Sequence, residues 1–164
     1  EFLKNEYPYT INPGGPNHEE LCSLIGIYEY YDTLYNHHFE KKDTNIRNKV
    51  KHINKLISDH EENIGNPILN FISNNDDLIL FGKDRITDKN RAPTISFISK
   101  KINSKSLSEL LVKNKIATRN DNFYAWRCLN DLGVNTNDGV VRISMVHYNN
   151  QEDIKNLINS LEKI

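Results

Sequence analysis

Arg142 is the residue whose type and surroundings most demand a chemical explanation. It stands in the run Val140-Val141-Arg142-Ile143-Ser144-Met145. Read as a strand, this run puts Val141, Ile143 and Met145 on one face and carries the Arg142 guanidinium and the Ser144 hydroxyl to the other. A guanidinium is permanently charged and offers a planar fork of donors that matches a carboxylate or a phosphate. Half-buried without such a partner, it is costly. Two readings meet that demand. An Asp or Glu of the same fold, or a wet sheet face, satisfies it internally; a bound anionic group satisfies it functionally.

The second candidate is Gly14-Gly15-Pro16-Asn17, which opens a helix. Unpaired amides and the positive end of the helix dipole can hold an anion there. An ordinary loop-to-helix joint has the same composition, and the spacing is neither GxxxxGK[ST] nor GxGxxG. Metal chemistry finds no support: His37 and His38 are adjacent and point apart on a helix, and no HExxH, CxxC or carboxylate cluster completes a ligand set. Cys128 sits beside Arg127, which favours the thiolate. On a helix reading FYAWRCLNDL, however, it is expected on the core side with Phe123 or Leu129. No GxSxG occurs, so the chain offers no self-contained catalytic machine.

These residues must be positioned by elements, and the pattern predicts them in order. Residues 1–16 hold Pro8, Pro13, Gly14, Gly15 and Pro16 and read as a loop. Asn17 with Glu20 is a capping-box-like start to a helix reaching about His37, with Leu21, Leu24, Ile25, Tyr28 and Tyr31 or Tyr35 along one face. A second helix begins at Asp43 or Thr44, with Ile46, Val50, Ile53 and Ile57 on its buried side. Pro67 interrupts a further helical stretch that continues through Ile68, Leu69, Phe71 and Ile72. After a turn at Asn74–Asp77, strands are expected at Leu78–Phe81, Thr94–Ile98, Ile116–Arg119 and Val140–Val146, with helices at Ser106–Lys113 and Phe123–Leu132. Asn150 and Asp153 form another capping box, and Ile154, Leu157, Ile158 and Leu161 mark one face of a closing helix.

The fold class is therefore α/β, specifically an α+β module with a small sheet and helices packed on one side. Lys and Arg number 21 against 22 Asp and Glu, a formal charge of -1, which gives no reason to expect nucleic acid or an anionic membrane as partner. No apolar run approaches the roughly 20 residues of a membrane span. Two cysteines, Cys22 and Cys128, are too few for a disulfide framework. A soluble, cytoplasmic protein with reduced thiols is the expectation. The chain opens on Glu1 and Glu1–Pro13 reads like the middle of something, so a fragment of a longer chain is expected too.

Taken in order, several segments resemble a known family. They are Arg91-Ala92-Pro93-Thr94-Ile95-Ser96-Phe97, Ile116-Ala117-Thr118-Arg119, Asn122-Phe123-Tyr124-Ala125, Val141-Arg142-Ile143-Ser144 and His147-Tyr148-Asn149-Asn150 with Glu152-Asp153-Ile154. Together they are similar to the carboxyl-terminal region of class V aminotransferases, closest to the cysteine-desulfurase-like proteins. Asn12-Pro13-Gly14-Gly15-Pro16-Asn17-His18-Glu19 resembles the loop that ends the family's large domain. The resemblance implies a loop from that domain over residues 1–17, connecting helices over 18–75 and the small α+β domain over 76–164.

It further implies a dimeric fold-type I enzyme that uses pyridoxal 5'-phosphate on an amino-acid substrate. By resemblance Arg142 grips the substrate α-carboxylate, Arg119 is a second arginine near the substrate, and Tyr124 stands where cysteine desulfurases place their nucleophilic cysteine. A phenol cannot take up a persulfide, and the role is not transferred to Cys128, four residues later. At Gly15 many relatives carry a threonine that reaches the cofactor phosphate, so contacts here fall to the backbone around Gly14, Gly15 and Asn17. The family's cofactor-anchoring lysine, commonly just after a histidine, is expected upstream. Residues 1–164 alone are accordingly expected to be inactive. The alternative is a non-catalytic α+β binding or dimerisation module in which Arg142 pairs internally, or a degenerate relative that has lost its cofactor.

Overall fold

Alternating apolar residues on adjacent strands build the sheet. A computed structural model describes residues 7, 14–40, 43–87 and 90–164. The element order is α1 (His18–His38), α2 (Ile46–Ser73), β1 (Leu78–Phe81), β2 (Thr94–Ser99), α3 (Ser104–Lys113), β3 (Arg119–Asp121), α4 (Trp126–Asp131), β4 (Val140–Ser144) and α5 (Gln151–Leu161). The chain divides into two compact units, Glu1–Asn54 and Lys55–Ile164. Most of the loop expected over residues 1–16 lies outside the described residues.

In the second unit the strands lie in the order β1-β2-β4-β3 and every neighbouring pair is antiparallel. Ile95 and Phe97 of β2 and Val141 and Ile143 of β4, with Met145 just beyond, are buried on one face. Against them pack Ile64, Ile68, Leu69 and Ile72 of α2, Leu107 and Leu111 of α3, and Ile154, Leu157 and Leu161 of α5. This is the expected small antiparallel sheet with helices on one side. The short α4, from the stretch expected to be helical over Phe123–Leu132, lies instead on the other face: Leu129 joins Val134 and Val140 in a smaller cluster there, with Phe81, Ile98, Phe123 and Ala125 packed at its edge.

Pro67 does not divide α2, which runs unbroken for 28 residues. An interior proline removes one helical hydrogen bond and costs about 3 kcal/mol. Ile64, Ile68, Leu69 and Ile72, all essentially inaccessible, each contribute about 1.5–3 kcal/mol by burial, so packing wins. Both predicted caps are present. Asn17 Oδ1 accepts the Glu20 amide at 3.1 Å. Asn150 Oδ1 accepts the Glu152 and Asp153 amides, and the Asp153 carboxylate accepts the Asn150 amide at 3.0 Å, closing the box. That amide, followed by the Asn149 side chain, holds the Asp153 pKa below its ordinary value.

In the first unit the structure departs from the pattern. Of the apolar residues of α1 only Tyr35 is buried, while Leu21, Leu24, Ile25 and Tyr28 are exposed. Ile46 is exposed as well, and Ile53 alone of the expected α2 set is fully buried there. Asp32 pairs with Lys49, which lowers the Asp32 pKa. No helix among the described residues is long and apolar enough to cross a membrane.

Candidate functional site

β4 is an interior strand, and its register decides what surrounds Arg142. Residues directly opposite one another in antiparallel strands project to the same face. Arg142 lies opposite Ser96 of β2 on one side and Arg119 of β3 on the other, and Ser96 lies opposite Phe81 of β1. A single row across the sheet therefore reads Phe81, Ser96, Arg142, Arg119, on the face away from the main core. The row next to it carries Ile79, Ile98, Val140 and Asp121, and α4 covers its apolar part. The row on the other side pairs Thr94 with Ser144. Arg142 thus sits at the border between an apolar half-face and a polar one.

The guanidinium is held but not satisfied. Its Cζ lies 4.0 Å from the centre of the Phe123 ring, a cation–π distance. Its Nε is buried and has no hydrogen-bond partner. The ion pairs among the described residues join Lys49 to Asp32, Lys55 to Asp59 and Lys101 to Asp77, and none includes Arg142 or Arg119. An internal carboxylate for Arg142 is thus not found among the described residues. Two like charges opposite each other on adjacent strands repel, and an anion bound between them would relieve that repulsion.

The turn that carries the ring is unusual. Phe123 and Tyr124 have φ of 53° and 60°, consecutive left-handed residues of a kind that costs about 1–2 kcal/mol each outside glycine. Asn122 holds them: its Oδ1 accepts the Tyr124 amide at 3.0 Å, its carbonyl accepts the Ala125 amide at 2.9 Å, and its Nδ2 donates to the Thr136 carbonyl. Gly139 (φ +71°) brings β4 so close that a Cβ there would lie 2.2 Å from the Asp121 carbonyl carbon. Tyr124 at the tip is fully exposed, with a relative accessibility of 100%.

Several expectations are corrected by this turn. The helix does not begin at Phe123 but at Trp126, because the left-handed pair cannot be helical. Cys128 consequently faces solvent and not the core. β3 begins at Arg119 instead of Ile116: Lys115 has φ 63° and Ile116 donates to the Leu111 carbonyl, which closes α3. Sequence reasoning named Asn122 and Phe123 within the resembling segment but gave neither a role in the site. Asp121-Asn122 before two aromatics is a turn signal of the Asx type, and it is the one available clue.

Gly14, Gly15 and Asn17 belong to the first unit. Gly14 and Gly15 have φ of +81° and +86°, and nothing lies within 4 Å of where a Cβ would be on either. Their amides precede α1. The Asn17 oxygen is engaged in the cap, and Glu19 and Glu20 occupy the first turn. An anion at this point would be held by backbone amides, not by a charged side chain.

Comparison with known proteins relates this fold to a family. The family described as Aminotransferase class-V matches residues 46–157. The aminotransferase-like protein FGM3 of Gibberella zeae is 27% identical over 109 residues, covering 66% of this chain and 27% of that protein. Among solved structures, the cysteine desulfurase CsdA (S-sulfonic acid) from Escherichia coli has a TM-score of 0.66 at 19% identity, over 95% of this chain and 32% of that one. The apo cysteine desulfurase from Thermococcus onnurineus NA1 has a TM-score of 0.61 at 19% identity, over 72% and 28%. The chain thus spans about a third or less of these proteins, and the structural likeness is one of fold. Since the family match takes in the whole sheet, α2 to α4, the first part of α5 and both arginines, well over half of the chain, the chain belongs to the class-V aminotransferase family.

Proposed function

We propose that this chain forms the substrate-carboxylate grip of a pyridoxal-phosphate-dependent enzyme acting on an amino acid. The observation that carries the reading is the half-buried Arg142 guanidinium, with Nε enclosed and no ion pair among the described residues. Such a group is complementary to a carboxylate that arrives from outside. Arg119, opposite it on β3, adds positive potential on the same face. Family membership supplies the cofactor: class-V aminotransferases use pyridoxal phosphate, which when bound draws electron density from the substrate α-carbon. Of the residues present, the backbone amides of Gly14, Gly15 and Asn17 ahead of α1 would hold its phosphate.

The part of this chain is orientation. Arg142 fixes the carboxylate and with it the rotation of the substrate about its α-carbon, which selects the bond that breaks. Tyr124 offers a phenol on an exposed turn and no thiolate, which favours lyase-like or aminotransferase-like chemistry over persulfide formation. The enzyme is proposed to be a cytoplasmic homodimer. A second reading, a binding or dimerisation module, is favoured by the exposed Leu21, Leu24, Ile25, Ile27, Tyr28 and Tyr30 of α1.

The test uses the full-length protein. Its visible spectrum with pyridoxal phosphate is expected to show a band that borohydride abolishes, with the cofactor fixed to a lysine. In the same protein Arg142→Ala is expected to keep that band and to weaken amino-acid binding by about 2–5 kcal/mol. No band, or unchanged binding, would favour the binding-module reading.

A further inference from the structure

Phe123 contributes the ring face that Arg142 rests on, and the fold accepts unfavourable backbone to put it there. A phenylalanine in the left-handed region is uncommon, and here it is followed by a second non-glycine residue in the same region. The Asn122 hydrogen bonds, together with the close approach of Gly139 to Asp121, leave the turn little room to relax. The ring lies 4.0 Å from Cζ, and Nε is buried without a hydrogen-bond partner. A guanidinium lying on a ring has its plane set by that ring. Its enclosed Nε cannot serve a ligand, so the outer edge formed by Nη1 and Nη2 is the one left for an incoming anion, in the two-point geometry a carboxylate takes.

We propose that Phe123 is a positioning residue: it fixes the plane of the Arg142 guanidinium so that only its Nη edge meets the substrate carboxylate. This rests on the reading of Arg142 as the carboxylate grip and adds to it the group that orients the grip. Phe123 also packs at the edge of the cluster of Leu129, Val134 and Val140. A purely structural role would therefore appear as lost stability without any change in how the carboxylate is recognised.

The measurement separates the two. Isothermal titration of the full-length, cofactor-loaded protein with L-alanine and with L-alaninamide, which lacks the carboxylate, gives a discrimination ratio. Phe123→Leu keeps an apolar side chain in the cluster and removes the ring face. It is expected to lower the ratio about fivefold to tenfold, the size of a partly desolvated cation–π contact. Phe123→Tyr restores the face and is expected to hold the ratio within about twofold of the unmodified protein, and Phe123→Met serves where the leucine variant folds poorly. Arg142→Ala is expected to abolish discrimination. If Arg142→Ala leaves the ratio intact, or the unmodified protein does not discriminate, the grip itself is wrong and this inference goes with it. If Arg142→Ala abolishes the ratio while Phe123→Leu and Phe123→Met leave it unchanged, the grip stands and the positioning role is overturned.

Discussion

At the scale of single residues, the energetics of Arg142 run opposite to those of its neighbours in the core. A buried donor without a partner costs about 1–3 kcal/mol, and the Phe123 ring returns about 0.5–2 kcal/mol of that. Taken at mid-range the two leave a net cost of about 1 kcal/mol, which a protein keeps where the group is needed for something other than folding. Arg142→Met retains a long flexible stem and removes the charge. It is expected to raise stability by about 1 kcal/mol in urea unfolding, while amino-acid binding in the full-length protein is lost. A variant less stable than the parent by a similar amount would mean that the guanidinium has an internal partner after all. Arg142 was legible in the sequence because a charge in an apolar alternation is a visible exception. Phe123 was not, because its role depends on a backbone conformation that its side chain does not advertise.

At the scale of elements, the link between β3 and β4 decides whether the site assembles. Gly139 begins the approach of β4 to the end of β3, at φ +71° and with the Asn122 amide nitrogen 2.7 Å from a would-be Cβ. The obstructing atoms are backbone and cannot swing aside. Gly139→Ala is therefore expected to destabilise by about 2–4 kcal/mol, through left-handed strain and displacement of the turn. Thermal unfolding measures the loss, and the ring-current shift of the Arg142 side-chain protons in NMR reports whether Phe123 has left the guanidinium. An alanine variant within about 0.5 kcal/mol of the parent, with the shift preserved, would show the approach to be looser than described. The caps at Asn17 and Asn150 and the strand β1 were readable because each rests on local chemistry. Three elements were not. α2 reads as two pieces because Pro67 speaks locally against the tertiary burial around it; β3 is misplaced because the apolar Ile116 packs without pairing; α4 starts late because a Phe-Tyr pair gives no sign of left-handed backbone.

At the scale of the molecule, the two compact units differ in how far their apolar residues are covered. Every residue of the main cluster, from Ile64 to Leu161, lies in the unit Lys55–Ile164, as does the smaller cluster around Leu129. The outer face of its sheet carries the arginine row. Within Glu1–Asn54, by contrast, Tyr35 and Ile53 are the buried hydrophobics among the described residues, and Leu21, Leu24, Ile25, Ile27, Tyr28 and Tyr30 of α1 are exposed. The periodicity of Leu21, Leu24, Ile25 and Tyr28 was legible as a helical face; what covers that face is not encoded in periodicity. The unit 55–164 is of a size at which independent domains fold. A chain of residues 55–164 alone is expected to unfold in urea as one cooperative transition, with far- and near-ultraviolet circular dichroism coinciding and a slope of about 1–3 kcal/mol per molar. Non-coincident transitions, or helical signal without near-ultraviolet signal, would show that the sheet needs Glu1–Asn54 to complete its core. The arginine row would then be a property of the whole chain and not of this unit.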